Sequence, residues 1–111
     1  MWGICNDWDQ QHKELFGKVV QYKIGHDSSK AIICSPIEGC QYEMEKIIAL
    51  SQSPEYTYGE RVLPKNHPEI EGRIAEIGWH FGRQQYFYII CVNGQKKSKR
   101  YFGMDLRKIE E

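Results

Sequence analysis

Hydrophobic alternation is strongest between Gly72 and Phe102. Two β-type runs, Arg73–Phe81 and Tyr86–Asn93, are separated by Gly82-Arg83-Gln84-Gln85 and followed by Lys96-Lys97-Ser98-Lys99-Arg100-Tyr101-Phe102. With a period of two, Ala75, Ile77, Trp79 and Phe81 share one face of the first run, and Ile74, Glu76, Gly78 and His80 share the other. The first set is expected to face a core, which makes Trp79 structural. In the second run Phe87, Ile89 and Cys91 alternate with Tyr86, Tyr88, Ile90 and Val92. Both faces are apolar, and the density of aromatic and β-branched residues favours strand over helix. If the Phe87 set fills an interior, Ile90 and Val92 need cover from elsewhere in the chain.

Around this hairpin the C-terminal half continues as β-structure. Glu60-Arg61-Val62-Leu63 reads as a strand and Pro64-Lys65-Asn66-His67-Pro68-Glu69-Ile70 as a proline-rich loop. Asn93-Gly94 is a tight-turn dipeptide, so Gln95–Phe102 is expected to return antiparallel to the preceding strand. Met104-Asp105-Leu106 then reads as one helical turn before a last strand, Arg107-Lys108-Ile109.

The N-terminal half reads as αββα. Asn6 or Asp7 caps a short helix with Trp8, His12, Leu15 and Phe16 at helical spacing, and Gly17 stops it. Val19–Ile24 and Ala31–Cys34 are strands joined by the turn Gly25-His26-Asp27-Ser28-Ser29. Ser35-Pro36-Ile37-Glu38 has the form of a capping box with proline in the first helical position. The stripe Ile37, Cys40, Met44, Ile47, Ile48 and Leu50 would then form the apolar face of a second helix, ended by Ser51-Gln52-Ser53-Pro54. No internal repeat or low-complexity segment is visible.

The expected fold class is therefore α+β: an N-terminal αββα segment packed on a C-terminal five-stranded antiparallel barrel. At 111 residues the chain suits a single compact domain, with residues 1–57 and 58–111 as its two parts. Net charge is zero, but Met1–Thr57 carries 5 basic and 8 acidic residues, net −3, and Tyr58–Glu111 carries 10 basic and 7 acidic, net +3. This bias reads either as solvated faces that help the halves dock or as a basic binding surface on the second half. There is no run approaching the roughly 18 apolar residues of a membrane span and no signal-peptide order at the N-terminus, so a cytoplasmic location is expected. The four cysteines, Cys5, Cys34, Cys40 and Cys91, lack a framework spacing and read as reduced.

The order strand, long loop, three meandering strands, helical turn and final strand resembles small five-stranded barrels of the Src-homology-3, Tudor and KOW type. Gly59-x-x-Val62 followed by Gly72-x-Ile74-x-x-Ile77 is similar to the KOW and Tudor opening, over Tyr58 to Glu111. The string Tyr58-Gly59-Glu60-Arg61-Val62, Pro64-Lys65-Asn66-His67-Pro68, Gly72-x-Ile74, Trp79-His80 and Ser98-Lys99-Arg100-Tyr101-Phe102, with Asp105-Leu106 after it, also looks like a module of small bacterial proteins, some of which resemble the immunity partners of contact-delivered toxins. The resemblance implies binding of peptides, modified side chains or nucleic acid, and carries over no catalytic residues.

Few residues suggest chemistry. Cys34 and Cys40 are the only close cysteine pair, without a second pair or a close histidine pair to complete a metal site, and core packing explains them. Cys91 and His80, a nucleophile and base on paper, are expected on opposite faces of neighbouring strands. No catalytic, metal or cofactor site is expected. The candidate surface is the basic run with Lys97, Lys99, Arg100 and Tyr101 beside Tyr86 and Tyr88, bordered by His67. It could grip an acidic protein or stack bases and contact phosphates, and the competing reading is an edge strand protected by lysines. The expectation is a non-enzymatic binding module, protein-binding and of the immunity or inhibitor kind. The alternative is a KOW- or Tudor-like nucleic-acid binder. Oligomeric state is open, a homodimer included.

Overall fold

The computed structural model describes residues 1–7 and 10–110. They fall into two compact units, Met1–Ser53 and Pro54–Glu111, each built on an antiparallel sheet. In the first unit β1 (Trp2–Cys5), β2 (Val19–Ile24), β3 (Lys30–Ser35), β4 (Gln41–Glu43) and β5 (Ile47–Leu50) pair in the order β4-β3-β2-β1-β5. In the second, β6 (Arg61–Pro64), β7 (Gly72–His80), β8 (Gln85–Val92), β10 (Tyr101–Phe102) and β11 (Leu106–Lys108) pair in the order β10-β8-β7-β6-β11, and the short β9 (Gln95–Lys96) also pairs with β8. Setting β6 against β1, β7 against β2, β8 against β3, β10 against β4 and β11 against β5 makes the two orders coincide. Each unit also places a 3-10 turn before its last strand, Met44–Lys46 in one and Gly103–Asp105 in the other.

The expected α+β class is thus overturned. The described residues are nearly all β, there is no N-terminal αββα segment, and the second sheet is open, not a closed five-stranded barrel. Where the first helix was expected, Gln10–Leu15 forms 3-10 turns broken at His12, whose backbone is non-helical (φ −132°, ψ 42°). Leu15 is buried, but Phe16 is half exposed, and Trp8 lies outside the described residues. The second expected helix is replaced by β4, a 3-10 turn and β5. Gly39 sits at φ +88°, in the left-handed region that ends a helical path, and the Ser35-Pro36 peptide is cis. The β-branched pair Ile47-Ile48 then follows its own preference and pairs with Cys5 and Ile4 of β1. The stripe consequently does not form one buried face: Ile37 and Ile48 are exposed.

The hairpin β7–β8 is where it was predicted, but its faces are exchanged along part of its length. The register steps between Ile74 and Glu76, leaving Ala75 as the extra residue of a β-bulge. One extra residue shifts the alternation, so Ile74 and Ile77 point to the same side. Their partners across the ladder are Ile90 and Tyr88, with Tyr86 opposite Trp79. Tyr86, Tyr88 and Ile90 are therefore core residues, while Phe87, Ile89 and Cys91 are only half buried on the outer face. Of the set expected inside, Ile77 is buried, Trp79 is half buried with its ring edge-on to Tyr86 at 4.9 Å, and Phe81 is 61% exposed.

Each core is satisfied locally. In the first unit Cys5, Leu15, Val20, Tyr22, Ala31, Ile33 and Tyr42 pack together, and the Tyr42 hydroxyl donates to the Asp7 carbonyl at 2.6 Å. In the second, the Tyr56 ring meets Tyr88 edge-on at 5.3 Å, the Tyr56 hydroxyl donates to the Leu106 carbonyl, and the Tyr88 oxygen accepts from the Glu55 amide at 2.9 Å. A buried tyrosine needs such a partner for its polar end. Burial pushes the Tyr88 hydroxyl up to about 12.

Candidate binding face

The outer face of β7, β8 and β10 carries a row of three positions held in register: Gly78 opposite Phe87, and Phe87 opposite Phe102. Gly78 is needed there. A Cβ at this position would lie 2.1 Å from the Phe87 ring, so the missing side chain is what lets the ring lie across β7. Phe102 is fixed because its amide donates to the Asp105 carboxylate at 3.0 Å, where the chain turns through the 3-10 segment.

Two cations cover these rings. The Arg100 guanidinium carbon stands 4.6 Å from the centroid of Phe87, and that of Arg83 stands 4.6 Å from the centroid of Phe102. His80 approaches Phe102 at 5.8 Å, and its Nδ1 accepts from the Arg83 amide, which ties the β7–β8 turn to the same row. Cation–ring contacts of this kind contribute about 0.5–1 kcal/mol at exposed sites, enough to bias where each guanidinium rests.

Several of the charges nearby are already paired. Glu71 pairs with Arg61, Glu60 with Lys108, Glu76 with Lys96, and Glu69 lies 3.4 Å from His67. Among the described residues Arg83, Lys97, Lys99 and Arg100 enter no ion pair. An open cleft of about 470 Å³ beside β6 and β11 is lined by Glu60, Arg61, Arg73 and Lys108. There, Arg61 and Lys108 are neutralised by the pairs just named and Arg73 donates to the Gly59 carbonyl. Arg73 keeps its charge there, with Glu110 on the same rim.

The residues singled out from the sequence separate into two groups. Tyr86, Tyr88 and Tyr101 are 8%, 1% and 8% exposed and belong to the core side. Lys97, Lys99 and Arg100 are exposed in the stretch 97–100 between β9 and β10, where the Lys97 amide alone continues the ladder by donating to Ile90. His67, Lys99 and the edge of Tyr101 do come together, with Pro64, Asn66 and Asp105, around a hollow of about 100 Å³. The Lys99 ammonium lies 5.1 Å from the Tyr101 ring. Phe87, Phe102 and Arg83 were not singled out, and His80 was weighed only as a base for Cys91. The signal that could have found them is Gly78, a glycine within an otherwise regular strand. His80 and Cys91 sit at opposite ends of the hairpin, paired with Gln85 and Arg73, roughly 20 Å apart at strand spacing.

Compared with known proteins, the chain matches no family model and no curated relative. Among the described residues no helix is long and apolar enough to cross a membrane.

Proposed function

We propose that the chain is a non-enzymatic binding module of the cytoplasm that grips an acidic segment of another protein across the outer face of β8 and β10. The observation that carries this reading is the pair of guanidinium groups, Arg83 and Arg100, each resting over a phenylalanine ring and neither in an ion pair among the described residues. A guanidinium presents five N–H donors in a fork that fits a carboxylate with two parallel bonds. Holding the fork over a ring before the partner arrives reduces the side-chain entropy lost on binding. Because the rings already carry the guanidiniums, the face favours carboxylates over stacked bases. On the resemblance to immunity-type proteins, such a face would serve an inhibitor by covering acidic surface on its target.

A nucleic-acid reading is favoured by one feature, the adjacency of Phe87 and Phe102 on neighbouring strands, with Lys97 and Lys99 exposed in the segment that leads into β10, which suits base stacking with phosphate contact. Fluorescence anisotropy with a labelled aspartate-rich peptide and a labelled oligouridine separates the two. The peptide is expected to bind, and Arg83→Ala with Arg100→Ala to weaken it by about tenfold to a hundredfold, since hydrogen bonds to charged groups contribute about 1.5–3 kcal/mol. Lys23→Ala, in the other unit, serves as the control. Binding of oligouridine with no binding of the peptide would transfer the function to nucleic acid, and binding of neither would end both readings.

A further inference from the structure

The first unit holds a thiol and an imidazole in contact. Cys40 Sγ lies 3.1 Å from Nδ1 of His12 and 3.5 Å from its Nε2. Both side chains are half buried, within reach of a small reagent. The pairing is built by two separate pieces of chain. Cys40 stands at the mouth of β4, its carbonyl accepting from the Ile33 amide at 2.7 Å, just after the Gly39 turn, whose amide donates back to the Ile33 carbonyl at 2.8 Å. His12 is the residue at which the 3-10 segment breaks, and Leu15 anchors that segment in the core.

We propose that Cys40 and His12 form an activated-thiol site, at which the protein is modified by soft electrophiles. The thiolate is the reacting form of a cysteine, and a neighbouring imidazole supplies it by taking the proton. With an alkyl halide the step closes as follows. The Cys40 sulfur forms a bond to carbon, the carbon–halogen bond breaks, halide leaves with the bonding pair, and the thiol proton remains on His12. The other cysteines lack this arrangement. Cys34 is exposed, and among the described residues its sulfur meets the Ile32 carbonyl at 3.7 Å and no imidazole. Cys5 is fully buried, and burial with Cys40 nearby pushes its thiol up to about 11. Cys91 lies on the outer face of β8 in the other unit. Around the pair stand Tyr42, whose ring centroid is 6.4 Å from that of His12, and Cys5 behind it.

Limiting iodoacetamide on the full chain, read cysteine by cysteine by peptide mass spectrometry, tests this. At pH 7 Cys40 is expected to react about tenfold faster than the more exposed Cys34. An ordinary thiol, with a pKa near 8.5, slows roughly fifteenfold between pH 8.5 and pH 7, and Cys40 is expected to slow much less. His12→Ala is expected to bring Cys40 down to the rate and pH profile of Cys34 while leaving Cys34 unchanged. Labelling of Cys5 reports whether the variant has unfolded, in which case the parent's own pH profile decides. Cys40 slower than Cys34 in the parent, Cys40 tracking Cys34 across pH, or a folded His12→Ala protein with Cys40 unslowed, each overturns the proposal.

Discussion

The two units run the same strand order through different side chains, and the difference lies on the outer faces of corresponding strands. In the first unit Lys30 of β3 stands opposite Glu43 of β4 and forms an ion pair with it, and Lys23 of β2 stands opposite Ile32. In the second, β8 and β10 set Phe87 opposite Phe102, Gly78 of β7 opens the space for the Phe87 ring, and the cations over the rings have no acidic partner among the described residues. Strand order therefore says little about where a binding face is to be sought. A cation beside a carboxylate one strand away is quenched, whereas a cation held over a ring keeps its charge for a partner.

The contrast rests first on the tyrosine core that supports the second sheet. Tyr88→Ala should destabilise the protein by about 3–5 kcal/mol, the range for emptying a buried aromatic site. Tyr88→Phe should cost only about 1–2 kcal/mol, because it leaves the Glu55 amide without its acceptor and keeps the packing. Urea midpoints of the two variants check this. Equal losses would mean that the hydroxyl, not the ring, holds the core.

Gly78 is the next point of attack, since it separates the two outer faces. Gly78→Val places a Cβ inside the Phe87 ring volume, and overpacking of this kind costs about 1–3 kcal/mol. It should also lower affinity for the acidic peptide, because Arg100 loses the ring on which it rests. Adding Phe87→Ala to Gly78→Val should recover part of the stability and none of the binding, a coupling that a double-mutant cycle reads directly. Recovery of binding along with stability would show that the ring has no part in the face.

Alkaline titration probes both units, through one buried acid in each. Cys5 is pushed up to about 11 and Tyr88 to about 12, each first of all by burial. Both are neutral when protonated, so the folded chain keeps protons that the unfolded chain releases. Stability is complete below about pH 9 and falls as pH rises, through the window from 9 to 11 for Cys5 and from 10 to 12 for Tyr88. Urea midpoints at pH 8 and pH 10.5 should therefore differ, with Tyr88→Phe and Cys5→Ala each removing a share of the difference and Tyr56 and Tyr86, also pushed up by burial, keeping the rest. An unchanged midpoint in the parent would mean that neither group is held neutral.

The second unit was the more legible of the two, for physical reasons. Aromatic and β-branched alternation with an Asn93-Gly94 turn, where both residues adopt positive φ (52° and 77°), leaves few alternatives to a hairpin. What alternation does not reveal is the bulge at Ala75, because an extra residue changes the faces without changing composition. That single residue moved Tyr86 and Tyr88 inward and Phe87 outward. The candidate site was accordingly read one position out along β8, with Lys99, Arg100 and His67 on the surface and the tyrosines in the core. In the first unit Ser35-Pro36-Ile37-Glu38 fits a capping box and a turn equally well, and a stripe at helical spacing also satisfies two short strands. The pair Ile47-Ile48 was the competing signal. The shared strand order left no trace in the residues because sheets of one topology tolerate many sequences that keep an inward alternation.

The smallest effect tests the comparison itself, by removing the carboxylate beside a cation of the first unit. Glu43→Gln removes the partner of Lys30, and because both side chains are partly exposed the loss of stability should be under about 1 kcal/mol. If a cation relieved of its neighbouring carboxylate on an outer strand were sufficient for binding, this variant would gain a second site for the aspartate-rich peptide. It should not. Lys30 carries a flexible ammonium and not the planar fork of a guanidinium, so each bond formed would cost more side-chain order than at Arg100. Titration of the variant should return the parent's stoichiometry and affinity. A doubled stoichiometry would reduce the candidate face to a matter of net charge, and Phe87 and Phe102 would lose their place in it.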